Sequence, residues 1–216
     1  PADKSISHRA IFIASIAMGR TLIKNFLYSH DTNTSLDCMR ALGVKIKKKP
    51  KGAIIVSSEG MYFPRKRHIT LNALKSGTTL RVISGLLAAQ NFDVTLIAEG
   101  SLKKRPMKRV TEPLRLMGAD IRGRSIRGEE YPPLYIRHKL SIRGIDYRLK
   151  VSSAQVKSAI LLASLFAEGV TKIKEPNQSR DHTERMLKIF GASIKEEKGF
   201  IYSRKGKLRS PGSVFI

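Results

Sequence analysis

Three times along the chain, a helix-like segment runs into a glycine and then into a strand-like stretch. The three segments are Met39-Arg40-Ala41-Leu42-Gly43-Val44-Lys45-Ile46, Leu114-Arg115-Leu116-Met117-Gly118-Ala119-Asp120-Ile121 and Leu187-Lys188-Ile189-Phe190-Gly191-Ala192-Ser193-Ile194. Each reads as a helix closed by a glycine in the left-handed position just past its C-terminus. The glycines recur at spacings of 75 and 73 residues. That period is too long for a solenoid repeat and points to three copies of a larger unit.

A second series keeps phase with the first. Ser5 to Met18, Ser76 to Ala89 and Ser153 to Ala167 are apolar helical patterns that open with polar residues. Each leads into a strand, at Thr21–Phe26, Phe92–Ala98 and Val170–Lys174, then into a polar loop and the glycine-ended helix. Further strands are expected at Ala53–Ser57, Leu134–Arg137 and Phe200–Ser203. The fold class is therefore α/β: one pseudo-threefold domain of three helix–strand–helix–strand–strand units, over about 4–70, 71–148 and 149–216. An additional strand is expected to lead into the later copies. The Ser-opened helices are nearly apolar all round, so they should be buried.

The 216 residues carry a net charge of +24, which implies an anionic partner. The basic residues are spread along the chain, densest at Lys45–Lys51 and Lys103–Arg109, and a solvated charged face explains either run by itself. One cysteine, Cys38, excludes a disulfide framework within the chain and a cysteine-based zinc site. A reducing compartment fits that usage. No apolar run reaches the roughly 18 residues of a membrane span. Lys4 and Arg9 ahead of Ala10–Ala17 imitate a signal peptide, but no small-x-small cleavage site follows. No His-x-x-x-His pair or carboxylate cluster has metal-ligand spacing, so no metal is expected.

In a threefold fold, equivalent helix starts can face one place. Helix N-termini carry unpaired N–H groups and a partial positive charge, and so favour anions. Here the starts also hold Lys4-Ser5-Ile6-Ser7-His8-Arg9, Lys75-Ser76-Gly77-Thr78-Thr79-Leu80-Arg81 and Val151-Ser152-Ser153-Ala154-Gln155-Val156-Lys157. Ser5, His8 and Arg9 share one face by their spacing. Gly77 lets a ligand approach the backbone. Two loops add Arg105 and Arg180. Each serine alone reads as an N-cap and each histidine as a core group. Recurrence in phase describes instead a basic, hydroxyl-lined site for a small, multiply anionic ligand.

These segments, together with Arg105-Pro106-Met107, Ser153-Ala154-Gln155-Val156-Lys157-Ser158 and Ser179-Arg180-Asp181-His182-Thr183-Glu184-Arg185-Met186-Leu187, resemble the 5-enolpyruvylshikimate-3-phosphate synthase family. The resemblance runs from Lys4 to about Phe215, with the motifs in family order. It implies half of an inside-out α/β barrel of the enolpyruvyl transferase kind, with three similar units per domain. It also implies that this chain is the first domain almost alone, the second, catalytic domain being absent. Where the family carries a Gly-Asn pair ahead of the Gly77 run, this chain has Leu74-Lys75.

The family transfers the enolpyruvyl group of phosphoenolpyruvate to the 5-hydroxyl of shikimate 3-phosphate and releases phosphate, in aromatic amino-acid synthesis, with no cofactor. Carried onto this chain, the resemblance makes Lys4, Ser5, Arg9, Ser153, Gln155, Ser179 and Arg180 ligands of shikimate 3-phosphate. It makes Lys4, Gly77, Arg105 and Gln155 ligands of phosphoenolpyruvate. It assigns no catalytic acid or base to this half. It implies a cytoplasmic monomer with no membrane partner, unable to turn over without its second domain. Two alternatives stand beside it. UDP-N-acetylglucosamine enolpyruvyl transferase shares the chemistry but opens its first helix with Lys-Asn and uses a loop cysteine, unlike Lys4-Ser5 and Cys38. A basic nucleic-acid-binding module fits the charge, but aromatics are only 6%, and the apolar helices leave no reading helix free, so nucleic acid is not expected.

Overall fold

The computed structural model describes residues 1–64 and 67–216; residues 65 and 66, inside the first expected unit, lie outside the description. The chain opens with α1 (Lys4–Ala14), β1 (Ala17–Lys24), α2 (His30–Ala41), β2 (Lys45–Lys49) and β3 (Ala53–Ser58). It continues through β4 (His68–Asn72), α3 (Gly77–Leu87), β5 (Asp93–Ile97), α4 (Lys108–Leu116), β6 (Asp120–Ile126) and β7 (Glu129–Arg137). Last come β8 (Asp146–Arg148), α5 (Ala154–Ser164), β9 (Val170–Lys174), α6 (His182–Ile189), β10 (Ile194–Glu197), β11 (Phe200–Arg204), β12 (Leu208–Arg209) and β13 (Ser213–Phe215).

The helix ends at the repeated glycines are three copies of one Schellman motif. Gly43, Gly118 and Gly191 take φ of +98°, +98° and +88°. Their N–H groups donate to Arg40, Arg115 and Lys188 carbonyls, and the following residues donate to Met39, Leu114 and Leu187 carbonyls. Only glycine holds that backbone without a Cβ penalty.

Each unit builds one mixed sheet. In the second, the order is β4-β5-β7-β6, with β4 parallel to β5 and a following antiparallel hairpin. In the third, β8-β9-β11-β10 repeats that order and those directions. The strands that lead into the later copies thus belong to the sheets of the helices they precede. Thr70 lies inside β4, whose register from His68 to Asn72 assigns it wholly to the second sheet.

The first sheet obtains its leading strand from the far end of the chain. β12 and β13 both pair in parallel with β1, Leu208 opposite Ala17 and Val214 opposite Ile23. Residues 208–216 therefore complete the first sheet rather than the third. This pairing also shortens α1. A helix to Met18 fits the local pattern, but Ala17 and Met18 are drawn into β1 opposite Leu208 and Arg209.

The core lies where α1, α3 and α5 meet. From Ala10 to Ala14, Val82 to Leu86 and Ala159 to Leu162 these helices are buried. α3 and α5 pack so closely that a Cβ placed on Gly85 would collide with the Ala159 carbonyl. With their apolar bodies inside, the three helices can expose only their polar first turns. Among the described residues no helix is long and apolar enough to cross a membrane.

Candidate functional site

The first turns of α1, α3 and α5 open onto one concavity of about 560 Å³. Lys4, Ser5 and Arg9 enter from α1, Thr78 from α3, and Ser153 and Gln155 from the start of α5. The segment Gln178-Ser179-Arg180, between β9 and α6, closes the remaining side. All seven residues read from the motifs as shikimate 3-phosphate ligands therefore line one wall. The helix starts are capped: Asp3 Oδ1 accepts from the Ile6 N–H at 2.8 Å, Ser76 Oγ from Thr79 at 3.2 Å and Ser153 Oγ from Val156 at 3.4 Å. In α1 the cap is Asp3, not Ser5, which frees the Ser5 side chain.

Ser5 is instead held by Arg9, and Arg9 is an internal clamp. It is 2% exposed. Its Nη1 donates to the Ser5 carbonyl at 2.9 Å and to Ser5 Oγ at 2.7 Å. Its Nε reaches Thr183 Oγ1 at 2.7 Å, and its Nη2 reaches the Ala154 carbonyl and Ser158 Oγ. These bonds occupy all five donors of the guanidinium. Burial lowers its pKa to about 10, against the opposing charge of Glu184. Arg9 ties α1 to α5 and α6, and the proton on Ser5 Oγ remains available to a ligand.

Lys4 lies at the rim, its Nζ 3.0 Å from Asp31 Oδ2, with a side chain 53% exposed. Such an exposed pair is worth at most about 1 kcal/mol, so the ammonium is easily redirected. Arg180 is exposed and makes no ion pair among the described residues.

Gly77 and Arg105 sit beside this concavity rather than in its wall. A Cβ on Gly77 would stand 2.8 Å from Arg81 Nη1 and 3.7 Å from Arg105 Nη1. Gly77 thus makes room for the Arg81 guanidinium against the first turn of α3, with Arg105 close by. Arg81 also donates to Gln155 Oε1 at 3.1 Å, and Gln155 Nε2 donates to Thr78 Oγ1 at 3.0 Å. Gln155 is the link between the two areas. Burial lowers the Arg81 pKa to about 10, with Arg109 and Arg105 adding like-charge repulsion. A cluster of three arginines without carboxylate partners among the described residues favours an anion.

Arg81 stands inside the Lys75–Arg81 motif without a ligand role of its own there, although its position four residues after Gly77 places both on one helix face. Thr78 and Gln178 carry no separate signal. Lys75 lays its stem against Gly100, its Cε 3.3 Å from a Cβ placed there. Leu74 adopts φ of +48°, a backbone that suits glycine.

His8 backs the site. Its Nδ1 lies 2.7 Å from Ser35 Oγ, which bonds Thr79 Oγ1, which donates to Ser76 Oγ. Its Nε2 is buried without a partner among the described residues. Burial lowers its pKa from 6.5 to about 4, because a second ring proton would find no acceptor. The unfolded chain therefore takes up a proton between pH 6.5 and 4 that the folded chain refuses. The contribution to stability is complete above pH 6.5 and shrinks toward pH 4, by up to roughly 3 kcal/mol. Urea unfolding of the native chain and of His8→Asn from pH 7 to 4.5 should show the shallower pH dependence in the variant. Parallel curves would show that His8 does not set it.

The family model for EPSP synthase (3-phosphoshikimate 1-carboxyvinyltransferase) matches residues 1–216. The 3-phosphoshikimate 1-carboxyvinyltransferase of Thermodesulfovibrio yellowstonii is 47% identical over 194 residues, 90% of this chain and 44% of that protein. That of Bacillus subtilis is 42% identical over 216 residues, 100% of this chain and 50% of that protein. An EPSP synthase structure from Acinetobacter baumannii is similar with a TM-score of 0.94 and 41% identity, across 100% of this chain and 48% of that one. The chain spans about half the length of the curated relatives it matches. A match over every residue, in both sequence and fold, means that the chain belongs to the EPSP synthase family.

Proposed function

We propose that this chain forms the shikimate-3-phosphate-binding half of an enolpyruvyl-transfer site and part of its phosphoenolpyruvate pocket. The observation that carries the reading is the single concavity lined by Lys4, Ser5, Arg9, Ser153, Gln155, Ser179 and Arg180. Ser5, Ser153 and Gln155 offer hydroxyl and amide groups to the ring substituents, while Arg180 and the Ser179 segment take the phosphate. Arg9 acts mainly through Ser5, because its own donors are committed. Gly77, by its backbone, and Arg105, by a bidentate guanidinium, hold phosphoenolpyruvate, with Lys4 and Gln155 reaching both ligands.

Transfer adds the 5-hydroxyl oxygen to C2 of phosphoenolpyruvate as C3 gains a proton. Loss of that phosphate and of a C3 proton then restores the double bond. This needs an acid and a base beside the reacting carbons. Both carboxylates near Lys4 are committed, Asp3 to capping α1 and Asp31 to the Lys4 ammonium. We assign proton transfer to a second domain that closes over the ligands and excludes water. The working protein is proposed to be a cytoplasmic monomer holding both domains. The lone thiol of Cys38 is buried, which pushes its pKa up to about 12 and keeps it out of the chemistry.

Calorimetric titration of this chain tests the reading. Shikimate 3-phosphate should bind roughly a hundredfold tighter than shikimate, the worth of two charge-assisted hydrogen bonds. Equal affinities would overturn it. Phosphate release with both substrates should require the second domain in trans, and clear turnover by residues 1–216 alone would overturn the division of labour.

A further inference from the structure

The segment that brings Ser179 and Arg180 to the site has little behind it. On its far side lies a second concavity of about 490 Å³, and Gln178 lines both. A loop between two open spaces is not placed by packing. Ser152 Oγ bonds the Asn177 carbonyl and N–H at its middle, and a buried ionic hub anchors its two ends. Lys157 of α5 is 1% exposed. Its Nζ lies 2.7 Å from Glu175 Oε2 and 2.6 Å from Glu184 Oε1. Glu175 begins the segment, just after β9, and Glu184 lies in the first turn of α6. One ammonium therefore fastens both ends.

The hub reaches Ser179 directly. Ser179 Oγ donates to Glu175 Oε1 at 2.6 Å, and the Ser179 N–H donates to Glu175 Oε2 at 3.2 Å. The carboxylate thus fixes both the backbone and the hydroxyl of a residue in the site wall. The same carboxylate would repel a phosphate held beside that residue, and the Lys157 ammonium is placed to neutralise it. Glu184 shares the same ammonium. Burial pushes its carboxyl up, against the pull of Lys157, and its Oε2 has no partner among the described residues.

We propose that Glu175, held and neutralised by Lys157, is the positioning residue for phosphate recognition by Arg180. This rests on the reading of the concavity as a shikimate 3-phosphate site. Glu175 does not touch the ligand; it takes up both donors of Ser179 and so sets where the neighbouring Arg180 guanidinium stands.

Glu175→Ala is the variant to test, because it leaves Lys157 and Glu184 in a one-to-one pair, with no buried ammonium stranded. Calorimetry with shikimate 3-phosphate and with shikimate should be run on the native chain, Glu175→Ala, Ser179→Ala and the double variant. Glu175→Ala should weaken shikimate 3-phosphate about tenfold, the size of one lost charge-assisted bond, and leave shikimate unchanged. Ser179→Ala should weaken it similarly, and adding Glu175→Ala to it should cost nothing further. A merely structural role would lower both ligands together, or add in full to Ser179→Ala. Either result overturns the proposal, as does unaltered binding in either single variant. A native chain that does not prefer the phosphorylated ligand overturns the site reading itself, and this proposal with it.

Discussion

Gly85→Ala is expected to destabilise the domain by more than about 4 kcal/mol, or to prevent folding altogether. In an isolated helix the same change stabilises by nearly 1 kcal/mol, since glycine is the poorer helix former. Here the sign reverses because the new methyl meets backbone. Its position collides with the carbonyl, carbonyl carbon and Cα of Ala159 on α5. No side chain can rotate away. Relief requires α3 and α5 to separate, and both are buried from Val82 to Leu86 and from Ala159 to Leu162. Separation would open the middle of the core and tilt the first turns that carry Thr78, Ser153 and Gln155. Urea denaturation checks this directly. A Gly85→Ala chain as stable as the native one would show that the helices do not approach this closely.

Arg9→Lys is expected to lose about 3 kcal/mol of stability and to weaken shikimate 3-phosphate, although the charge is retained. The guanidinium makes five bonds to Ser5, Thr183, Ala154 and Ser158 on three helices. An ammonium has three donors on one atom and cannot reach all three helices at once. Acceptors are then left buried without donors, at about 1 to 3 kcal/mol each before relaxation. Ser5 Oγ also loses the group that fixes its rotamer. The matched control is Arg180→Lys, at an exposed position, which should leave the melting temperature almost unchanged while still weakening the phosphate. Equal thermal stability of Arg9→Lys and the native chain would refute the clamp.

The contrast between these two arginines shows what motif reading reaches. Arg9 and Arg180 both stand in segments that resemble the family's motifs, and the resemblance treats them alike. Local sequence reports that a residue is present in a pattern. It does not report how many of its donors the fold has already consumed. Arg9 spends its donors on residues up to 174 positions away, whereas Arg180 makes no ion pair among the described residues. Arg81 and Lys157 were visible inside quoted motifs. Their work lies in contacts across helices, to Gln155 and to Glu175 and Glu184.

What the sequence determined by itself was everything set by short-range geometry. The glycine caps at 43, 118 and 191, the apolar helices and the following strands depend on hydrogen bonds and periodicity within a few residues, so their pattern survives in one dimension. From three such copies a threefold arrangement of helix starts, and hence an anion site, was legible. Only the tertiary structure decided which strand completes the first sheet, since β12 and β13 meet β1 across about 190 residues and nothing local in Leu208–Arg209 announces a partner at Ala17. The end of α1 followed from that pairing, because a sheet hydrogen bond and a helical one compete for the same backbone groups. The role of Gly85 and the commitment of Arg9 were decided there too. Both depend on how near two helices come, a distance that no residue encodes alone.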